Sequence, residues 1–124
     1  MKHYSKQREA ILEVLRSTDT HPTANWIYEK VREKIPNISL GTVYRNLAGL
    51  TADGAVLKID VGDGFEHFDG DISPHLHLYC RKCEKIFDQK LKSDYIKNVA
   101  RESGFSTDTT VYVAHGICKN CNNN

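Results

Sequence analysis

The stretch HLHLYCRKC, residues 75–83, places two histidines and two cysteines within nine positions of the chain. Imidazole and thiolate are both common metal ligands in proteins. The two histidines alternate as residues on one face of a strand do, and the two cysteines have the C-x-x-C spacing of a metal-binding turn. The stretch therefore predicts a strand that leads into a metal site, and it raises the question of whether one metal is bound here or two.

The cysteines of this stretch have counterparts near the end of the chain. Cys118 and Cys121 form a second C-x-x-C pair, and 34 residues separate it from the first pair, Cys80 and Cys83. Two such pairs are typical of a tetrahedral Zn²⁺ site, in which a closed shell of four thiolates has a structural role. A redox-active dithiol and a set of unligated buried thiols are the alternative interpretations. We predict one structural Zn²⁺ bound by all four cysteines.

The histidines of the stretch are better explained by a second metal. On a strand His75 and His77 point to the same face, whereas we expect Cys80 to lie beyond Tyr79 in the turn. Imidazole combined with carboxylate suits Fe²⁺, Mn²⁺ or Zn²⁺ rather than a soft, thiophilic ion. Histidines with a purely structural or surface role are the alternative. The candidate carboxylates that lie nearby in the sequence are Asp69, Asp71 and Asp88.

Towards the N-terminus the sequence predicts three short helices with tight links. The first runs from Ser5 with an apolar stripe, and the second covers TANWIYEKVREKI, residues 23–35, with Thr23 as its N-cap. The third begins after Ser39, which is its predicted N-cap, and ends with Gly54 at its C-cap. Three helices in this arrangement are typical of a helix-turn-helix.

After the third helix the apolar period changes from that of a helix to that of a strand. Residues 56–61 and 65–69 are joined by the Gly-rich VGDGF and predict a β-hairpin, the wing of a winged helix. C-terminal to the hairpin we predict strands over HLHLYC, KIFDQKL and TTVYVAHGIC, and a helix over SDYIKNVARES that is capped by Ser93. The predicted fold class is α+β, with an N-terminal winged-helix DNA-binding domain, residues 1–70, and a small α/β dimerisation domain, residues 71–124.

Composition limits the classes of protein that remain. The 124 residues are 40% apolar and carry a formal net charge of +1, which fits one ordinary domain or two small ones and excludes a polybasic coat for nucleic acid. The sequence has no apolar run of the length that spans a bilayer, and MKHYSKQREAIL lacks the apolar segment of a secretory signal. These features predict a cytoplasmic protein without a membrane partner.

Five motifs occur in the order found in one protein family. THPTANWIY, SLGTVYRNL, the HxHxxCxxC run, KIFD and the final GICKNC resemble the ferric uptake regulator family of bacterial metal-dependent repressors over nearly the whole chain. The resemblance implies an N-terminal winged-helix domain, a C-terminal dimerisation domain and a regulatory metal bound between them. It further implies a homodimer that binds double-stranded operator DNA.

Within the family the chain is most similar to the peroxide-responsive repressors. That similarity implies a regulatory Fe²⁺ or Mn²⁺, and oxidation of His21 or His75 when peroxide meets the Fe²⁺ form. The ligands of this second metal fall on His21, Asp69, His75, His77 and Asp88. Iron-sensing relatives more often carry Glu at the position of Asp88, whereas Arg45 is more typical of the iron-responsive members.

Three of the six histidines match no ligand position of the family. His3, His67 and His115 are interpreted as surface or core residues. Glu66 or His67 would replace Asp69 as a ligand if the register of the hairpin shifted by an odd number of residues. The choice of carboxylate therefore depends on how the two strands of the wing pair.

The helix that follows Ser39 is the candidate recognition helix, with its N-terminal residues directed at base edges in the major groove. Tyr44 is suited to contact a thymine methyl group, and Arg45 a guanine edge or a phosphate. Ser39 and Thr42 are the candidates for contacts with the DNA backbone. An ordinary amphipathic helix with a solvated polar face is the alternative interpretation.

These features together predict a metal-dependent DNA-binding transcriptional repressor that senses peroxide and is not an enzyme. An iron- or zinc-responsive repressor of the same family is the nearest alternative. A zinc-dependent hydrolase or deaminase that uses the histidine pair is the alternative from another class. The sequence contains neither HExxH nor HxE followed by PCxxC, so it lacks the motifs that such enzymes carry.

Overall fold

The computed structural model describes residues 2–73, 75–91, 95–107 and 111–122, with side chains from Lys6 onward. The chain divides into two compact units, Met1–Ile72 and Ser73–Asn124. Helices and two separate β-sheets are both present, so the predicted α+β class is confirmed.

Three helices form most of the first unit: α1 (Lys2–Arg16), α2 (Ala24–Val31) and α3 (Leu40–Ala52). The two predicted N-caps are confirmed. The Thr23 hydroxyl accepts a hydrogen bond from the Trp26 N–H, and the Ser39 hydroxyl accepts one from the Thr42 N–H. Each cap satisfies a backbone donor that the first turn of a helix otherwise leaves without a partner, which fixes where α2 and α3 begin.

The helix ends differ in detail from the predicted ones. α1 begins at Lys2, ahead of Ser5. The prediction that α2 reaches residue 35 was wrong: α2 ends at Val31, and the N–H groups of Lys34 and Ile35 both donate to the Val31 carbonyl in a tight turn. Residue 53 caps α3, and Gly54 follows it with a φ of 75°, a conformation that glycine adopts without strain.

The core of the first unit lies where the apolar stripes of the three helices meet. Ile11 and Leu15 of α1, Ile27 of α2 and Leu47 and Leu50 of α3 are fully buried in one cluster. Burial of large aliphatic side chains stabilises a fold by about 1.5–3 kcal/mol each. The first unit therefore has a core of its own.

The wing of the first unit is the antiparallel pair of β1 (Leu57–Ile59) and β2 (His67–Asp69). Phe68 of β2 is buried in the helical core, and the register pairs Leu57 with Asp69. Asp69 is buried, whereas the Glu66 carboxylate is exposed and lies 3.0 Å from the Lys58 ammonium. This register, which buries Asp69 and leaves Glu66 exposed, favours Asp69 over Glu66 as the candidate ligand.

The second unit contains a three-stranded sheet in the order β4-β3-β5, formed by β3 (His75–Cys80), β4 (Ile86–Lys90) and β5 (Tyr112–Gly116). β4 is antiparallel to β3, and β5 is parallel to it. The helix α4 (Tyr95–Glu102) lies between β4 and β5 in the sequence, as a parallel connection requires. Its predicted cap, Ser93, falls outside the described residues.

Two details at the cysteines were not predicted correctly. Cys80 is the last residue of β3, paired with Gly116, and does not lie in the following turn. A short helix, α5 (Lys119–Asn122), carries Cys121. The turn after β3 instead contains Glu84, which has a φ of 64° and lets the chain reverse into β4.

The second unit has very little apolar core. Among its described residues the buried ones are His75, His77 and Cys80. All three are candidate metal ligands, and large apolar side chains such as Tyr95 and Phe105 are exposed. A unit of this size without a substantial core needs other sources of stability, such as a bound metal or a partner subunit. Within the described ranges, none of the helices is long and apolar enough to cross a membrane.

Candidate metal centres and DNA-binding surface

The four cysteines of the second unit form one cluster, although 34 residues separate the two pairs in the sequence. The Sγ atoms all lie within 4.8 Å of one another, and they belong to Cys80, Cys83, Cys118 and Cys121. All four are free thiols, and the Sγ atoms of Cys83 and Cys118 are 3.8 Å apart. Two thiolates bound tetrahedrally to Zn²⁺, with Zn–S distances of about 2.3 Å, are themselves about 3.8 Å apart. The cluster therefore fits a tetrahedral thiolate site.

Backbone geometry prepares this cluster for ionisation. The N–H groups of Cys83 and Cys118 donate to the Cys80 sulfur at 3.4 and 3.3 Å, and these bonds lower the pKa of Cys80 to about 6. By contrast, the hydrogen bond with the Cys118 thiol raises the pKa of Cys121 to about 12. Without a cation the thiolate of Cys80 is thus favoured and that of Cys121 is disfavoured. A bound dication favours the thiolate form of its ligands.

A second group of ligand atoms converges in the same unit and is called here the trio: His75, His77 and Asp88. The Nε2 atoms of the two histidines are 2.8 Å apart. The Asp88 Oδ1 atom lies 3.2 Å from the first and 3.5 Å from the second. Cis ligands at about 2.1 Å from a metal are about 3 Å apart, so these separations match a shared metal. Strand pairing accounts for the arrangement, since His77 lies opposite Asp88 in the antiparallel register.

The ring orientation of His75 is fixed by its other nitrogen. Its Nδ1 atom lies 2.7 Å from the Ser73 carbonyl oxygen, which can only accept. The Nδ1–H group therefore donates, and in the neutral ring Nε2 carries the lone pair that faces His77 and Asp88. Such a hydrogen bond from the second nitrogen to a carbonyl is the usual support of a metal-bound histidine. The trio thus has the chemistry of a ligand set as well as its spacing.

Two further candidate ligands meet in the first unit and are called here the pair: His21 and Asp69. The His21 Nε2 atom lies 3.2 Å from the Asp69 Oδ2 atom, and both side chains are buried. The other carboxylate oxygen, Oδ1, accepts a hydrogen bond from the Asp71 N–H at 2.9 Å. This bond orients the carboxylate and gives Asp71 a supporting role through its backbone. His21 has a φ of 54°, which is rare for a residue other than glycine.

His67 and Asp63 make contacts beside the pair that the sequence did not predict. His67 bonds through its Nδ1 atom to the His21 carbonyl oxygen at 2.8 Å and through Nε2 to the Asp63 Oδ2 atom at 2.7 Å. Burial raises the pKa of Asp63, but the hydrogen bonds with the His67 ring and the Phe65 N–H, together with smaller electrostatic contributions, outweigh it, so the pKa of Asp63 is lowered. No local signal marks the contact with His21, because His67 and His21 are 46 positions apart.

The candidate recognition helix α3 carries a connected row of polar side chains at its N-terminal end. The hydroxyls of Ser39 and Thr42 are 2.8 Å apart, and the Arg45 guanidinium donates to the Thr42 hydroxyl at 3.0 Å. Tyr44 beside them is 46% exposed although it is a large aromatic residue. The opposite face of the helix is in the core, so these four side chains occupy the solvent-facing side near the N-terminus. That is where a recognition helix meets base edges.

The sequence model of the ferric uptake regulator family matches residues 2–115 of the chain. The chain belongs to the ferric uptake regulator family. The peroxide-responsive repressor of Staphylococcus epidermidis is 36% identical over 117 residues, which cover 93% of this chain and 78% of that protein.

Solved structures of two relatives have the same fold. The peroxide stress regulator of Campylobacter jejuni matches with a TM-score of 0.84 and 29% identity, covering 96% of this chain and 91% of that one. The ferric uptake regulator of Pseudomonas aeruginosa with manganese matches with a TM-score of 0.72 and 27% identity, covering 91% of this chain and 87% of that one.

Membership in the ferric uptake regulator family decides the class of function. The chain is a regulator of transcription and not an enzyme, so the hydrolase alternative is set aside. It has the family's arrangement of an N-terminal winged-helix domain and a C-terminal dimerisation domain. The exposed side chains of α3 are the candidate DNA-binding surface of this regulator, and the cysteine cluster, the trio and the pair are its candidate metal ligands.

Proposed function

We propose that the protein is a homodimeric, metal-dependent repressor that releases its operator when peroxide oxidises a ligand histidine. The observation that carries the metal dependence is the trio, with its two buried imidazoles, in which the hydrogen bond to Ser73 holds His75 in the tautomer that binds a metal. The similarity to peroxide-responsive relatives supports peroxide as the signal.

The proposed metals follow from the two kinds of ligand. Cys80, Cys83, Cys118 and Cys121 bind a structural Zn²⁺, because four thiolates form a closed shell. The pair and the trio, which belong to different units, bind one regulatory Fe²⁺ or Mn²⁺ together: His21, Asp69, His75, His77 and Asp88. Three imidazoles and two carboxylates suit these metals, and Fe²⁺ when bound supplies the electrons that reduce peroxide.

The five proposed ligands couple the binding of the metal to the binding of DNA. With ligands from both units on a single ion, metal binding selects one arrangement of the two proposed domains, residues 1–70 and 71–124. In the dimer that arrangement sets the spacing of two recognition helices. An oxidised imidazole binds metal poorly, so the metal no longer selects the domain arrangement that binds DNA. The protein is consumed in sensing and acts as a stoichiometric reactant.

A second copy of the chain is the proposed partner of the second unit. Tyr95, Ile96 and Val99 of α4 are exposed, and none of the described residues of this helix is buried. Exposed apolar surface of this kind is typical of a subunit interface. Burial of that surface in a homodimer compensates for the small core of the unit. We propose a cytoplasmic location, where a regulator of transcription meets its DNA.

The metal dependence is tested by operator binding of the zinc-loaded protein with and without Mn²⁺. The operator is a duplex selected from a random pool by the Mn²⁺-loaded protein. We expect Mn²⁺ to raise the affinity for this duplex roughly 5- to 150-fold, the usual range of coupling between two ligands. His77→Ala should abolish the effect of Mn²⁺, because it removes a ligand. His115→Ala, which removes an exposed imidazole from the same sheet, should retain it. Equal operator binding with and without Mn²⁺ would show that the metal is not regulatory.

The DNA contact is tested at Tyr44. Tyr44→Ala should weaken binding to the selected operator by roughly 1–3 kcal/mol if the ring meets a base, with a smaller effect on random duplex. Because the dimer has two-fold symmetry, the operator should be a pseudo-palindrome. Trp26→Ala is a suitable control, since Trp26 is also a partly exposed aromatic residue but lies on α2. Unchanged operator affinity in both Tyr44→Ala and Arg45→Ala would place recognition on another surface.

A further inference from the structure

Three consecutive residues of β2 hold the segment of chain that contains His21. The His67 Nδ1 atom lies 2.8 Å from the His21 carbonyl oxygen, and the Phe68 N–H donates to the Pro22 carbonyl at 2.9 Å. The Asp69 carboxylate faces the His21 imidazole at 3.2 Å. His67 and Asp69 lie on the same side of the strand, because alternate residues share a face, and Phe68 lies in the core. The wing therefore contacts both the backbone and the imidazole ring of His21.

The ring of His67 is itself held from its far side. Its Nε2 atom lies 2.7 Å from the Asp63 Oδ2 atom, and the other oxygen of this carboxylate accepts from the Phe65 N–H at 3.0 Å. The side chains of His67 and Asp63 are only 14% and 17% exposed. Both ring nitrogens thus face oxygen acceptors, which fixes the plane of the imidazole as well as its position. A ring held at both ends is a rigid spacer between the wing turn and the His21 carbonyl.

His21 needs such restraint because of its backbone. Its φ of 54° lies in the left-handed region, which residues with a side chain rarely adopt. Conformations of this kind persist only where surrounding contacts determine them. The bonds to the carbonyls of His21 and Pro22 are contacts of that type, and the direction of the His21 side chain follows from the backbone they fix.

We propose that His67 and Asp63 are positioning residues for the regulatory metal: they fix the backbone of His21 and so hold its imidazole beside Asp69. The inference rests on the proposed function in taking His21 as a ligand. Neither residue is assigned as a ligand, since both His67 nitrogens are engaged, one by the His21 carbonyl and one by the Asp63 carboxylate. Their effect is to lower the cost of ordering one ligand when the metal binds.

The test is the affinity of the zinc-loaded protein for Mn²⁺, measured by competition with a chelator. His67→Leu should lower this affinity about 10- to 100-fold, as loss of a residue that supports a ligand usually does. In His67→Asn the side-chain amide offers an N–H near the former Nδ1 position, so most of the affinity should return. Asp63→Asn should give an intermediate loss. Asp60→Asn is the matched control, because Asp60 lies in the same turn and its carboxylate accepts only from the Gly62 N–H among the described contacts.

A second measurement separates positioning from general stability. In the zinc-loaded protein without Mn²⁺, exchange of the Phe68 amide hydrogen should be faster in His67→Leu, because the segment that carries its acceptor is released. A purely structural role would lower the melting temperature and leave the Mn²⁺ affinity unchanged, which would overturn the inference. Equal losses in His67→Leu and His67→Asn would also overturn it, since the bond to the His21 carbonyl would then be irrelevant.

His21→Ala, measured in parallel, distinguishes failure of the inference from failure of the proposed function. If His21→Ala lowers the Mn²⁺ affinity and His67→Leu does not, the ligand assignment stands and the positioning role is wrong. If neither variant changes the affinity, His21 is not a ligand and both proposals fail. Loss in both variants with recovery in His67→Asn is the result that we expect.

Discussion

Cys83→Ser is expected to abolish both Zn²⁺ binding and dimer formation. Cys83 contributes one of the four clustered thiols, and serine is a poor ligand for Zn²⁺ in this setting. The second unit has no substantial apolar core to replace the metal, since its buried described residues are two histidines and a cysteine. Zinc binding is worth on the order of 10 kcal/mol in small zinc-dependent domains. Its loss should therefore unfold this unit.

The experiment combines zinc analysis, sedimentation and amide hydrogen exchange on the full chain. Lys82→Ala is the control, because Lys82 is an exposed residue of the same turn. It should retain one Zn²⁺ per chain and the dimer. In Cys83→Ser, slow exchange should persist in α1, α2 and α3, whose apolar core lies within the first unit. A folded, dimeric protein without zinc would contradict the structural role of the cysteine cluster.

The parts of the fold that were predicted correctly depend on local signals. Thr23 and Ser39 begin α2 and α3 because a side-chain oxygen next to a helical stripe is recognisable within four residues. The alternation of His75 and His77 likewise predicts a strand with both rings on one face, and their Nε2 atoms are 2.8 Å apart. In each case the sequence signal and the structural cause involve neighbouring residues.

Most of the features that were missed depend on contacts between distant residues. The end of α2 is an exception: a tight turn, in which the N–H groups of Lys34 and Ile35 donate to the Val31 carbonyl, ends the helix although the helical pattern continues. His67 was interpreted as a surface or core residue, and its bond to the His21 carbonyl spans 46 positions. The left-handed backbone of His21 has no sequence signal either, since histidine rarely adopts it without such contacts. Spacing therefore predicts ligand types better than it predicts what orients them.

Peroxide is expected to abolish operator binding by the Fe²⁺ form of the protein and to leave the Mn²⁺ form unaffected. The five proposed ligands would hold Fe²⁺, which would supply the electron that reduces peroxide at this site. The oxidant generated there reacts close to its origin, so a ligand imidazole is the nearest target. The predicted product is one added oxygen on His21 or His75. Mn²⁺ supports this chemistry poorly, so its form should bind DNA and remain insensitive.

Peptide mass spectrometry after peroxide treatment locates the added oxygen, and operator binding is measured on the same samples. The exposed imidazole of His115 is an internal control, because an oxidant that escaped into solution would reach it first. The buried imidazoles of His21, His75 and His77 would be protected from such an oxidant. Modification of His21 or His75 without modification of His115 would therefore identify a reaction that begins at the bound metal. Equal sensitivity of the Fe²⁺ and Mn²⁺ forms, or oxidation confined to cysteine, would leave an iron- or zinc-responsive repressor as the better description.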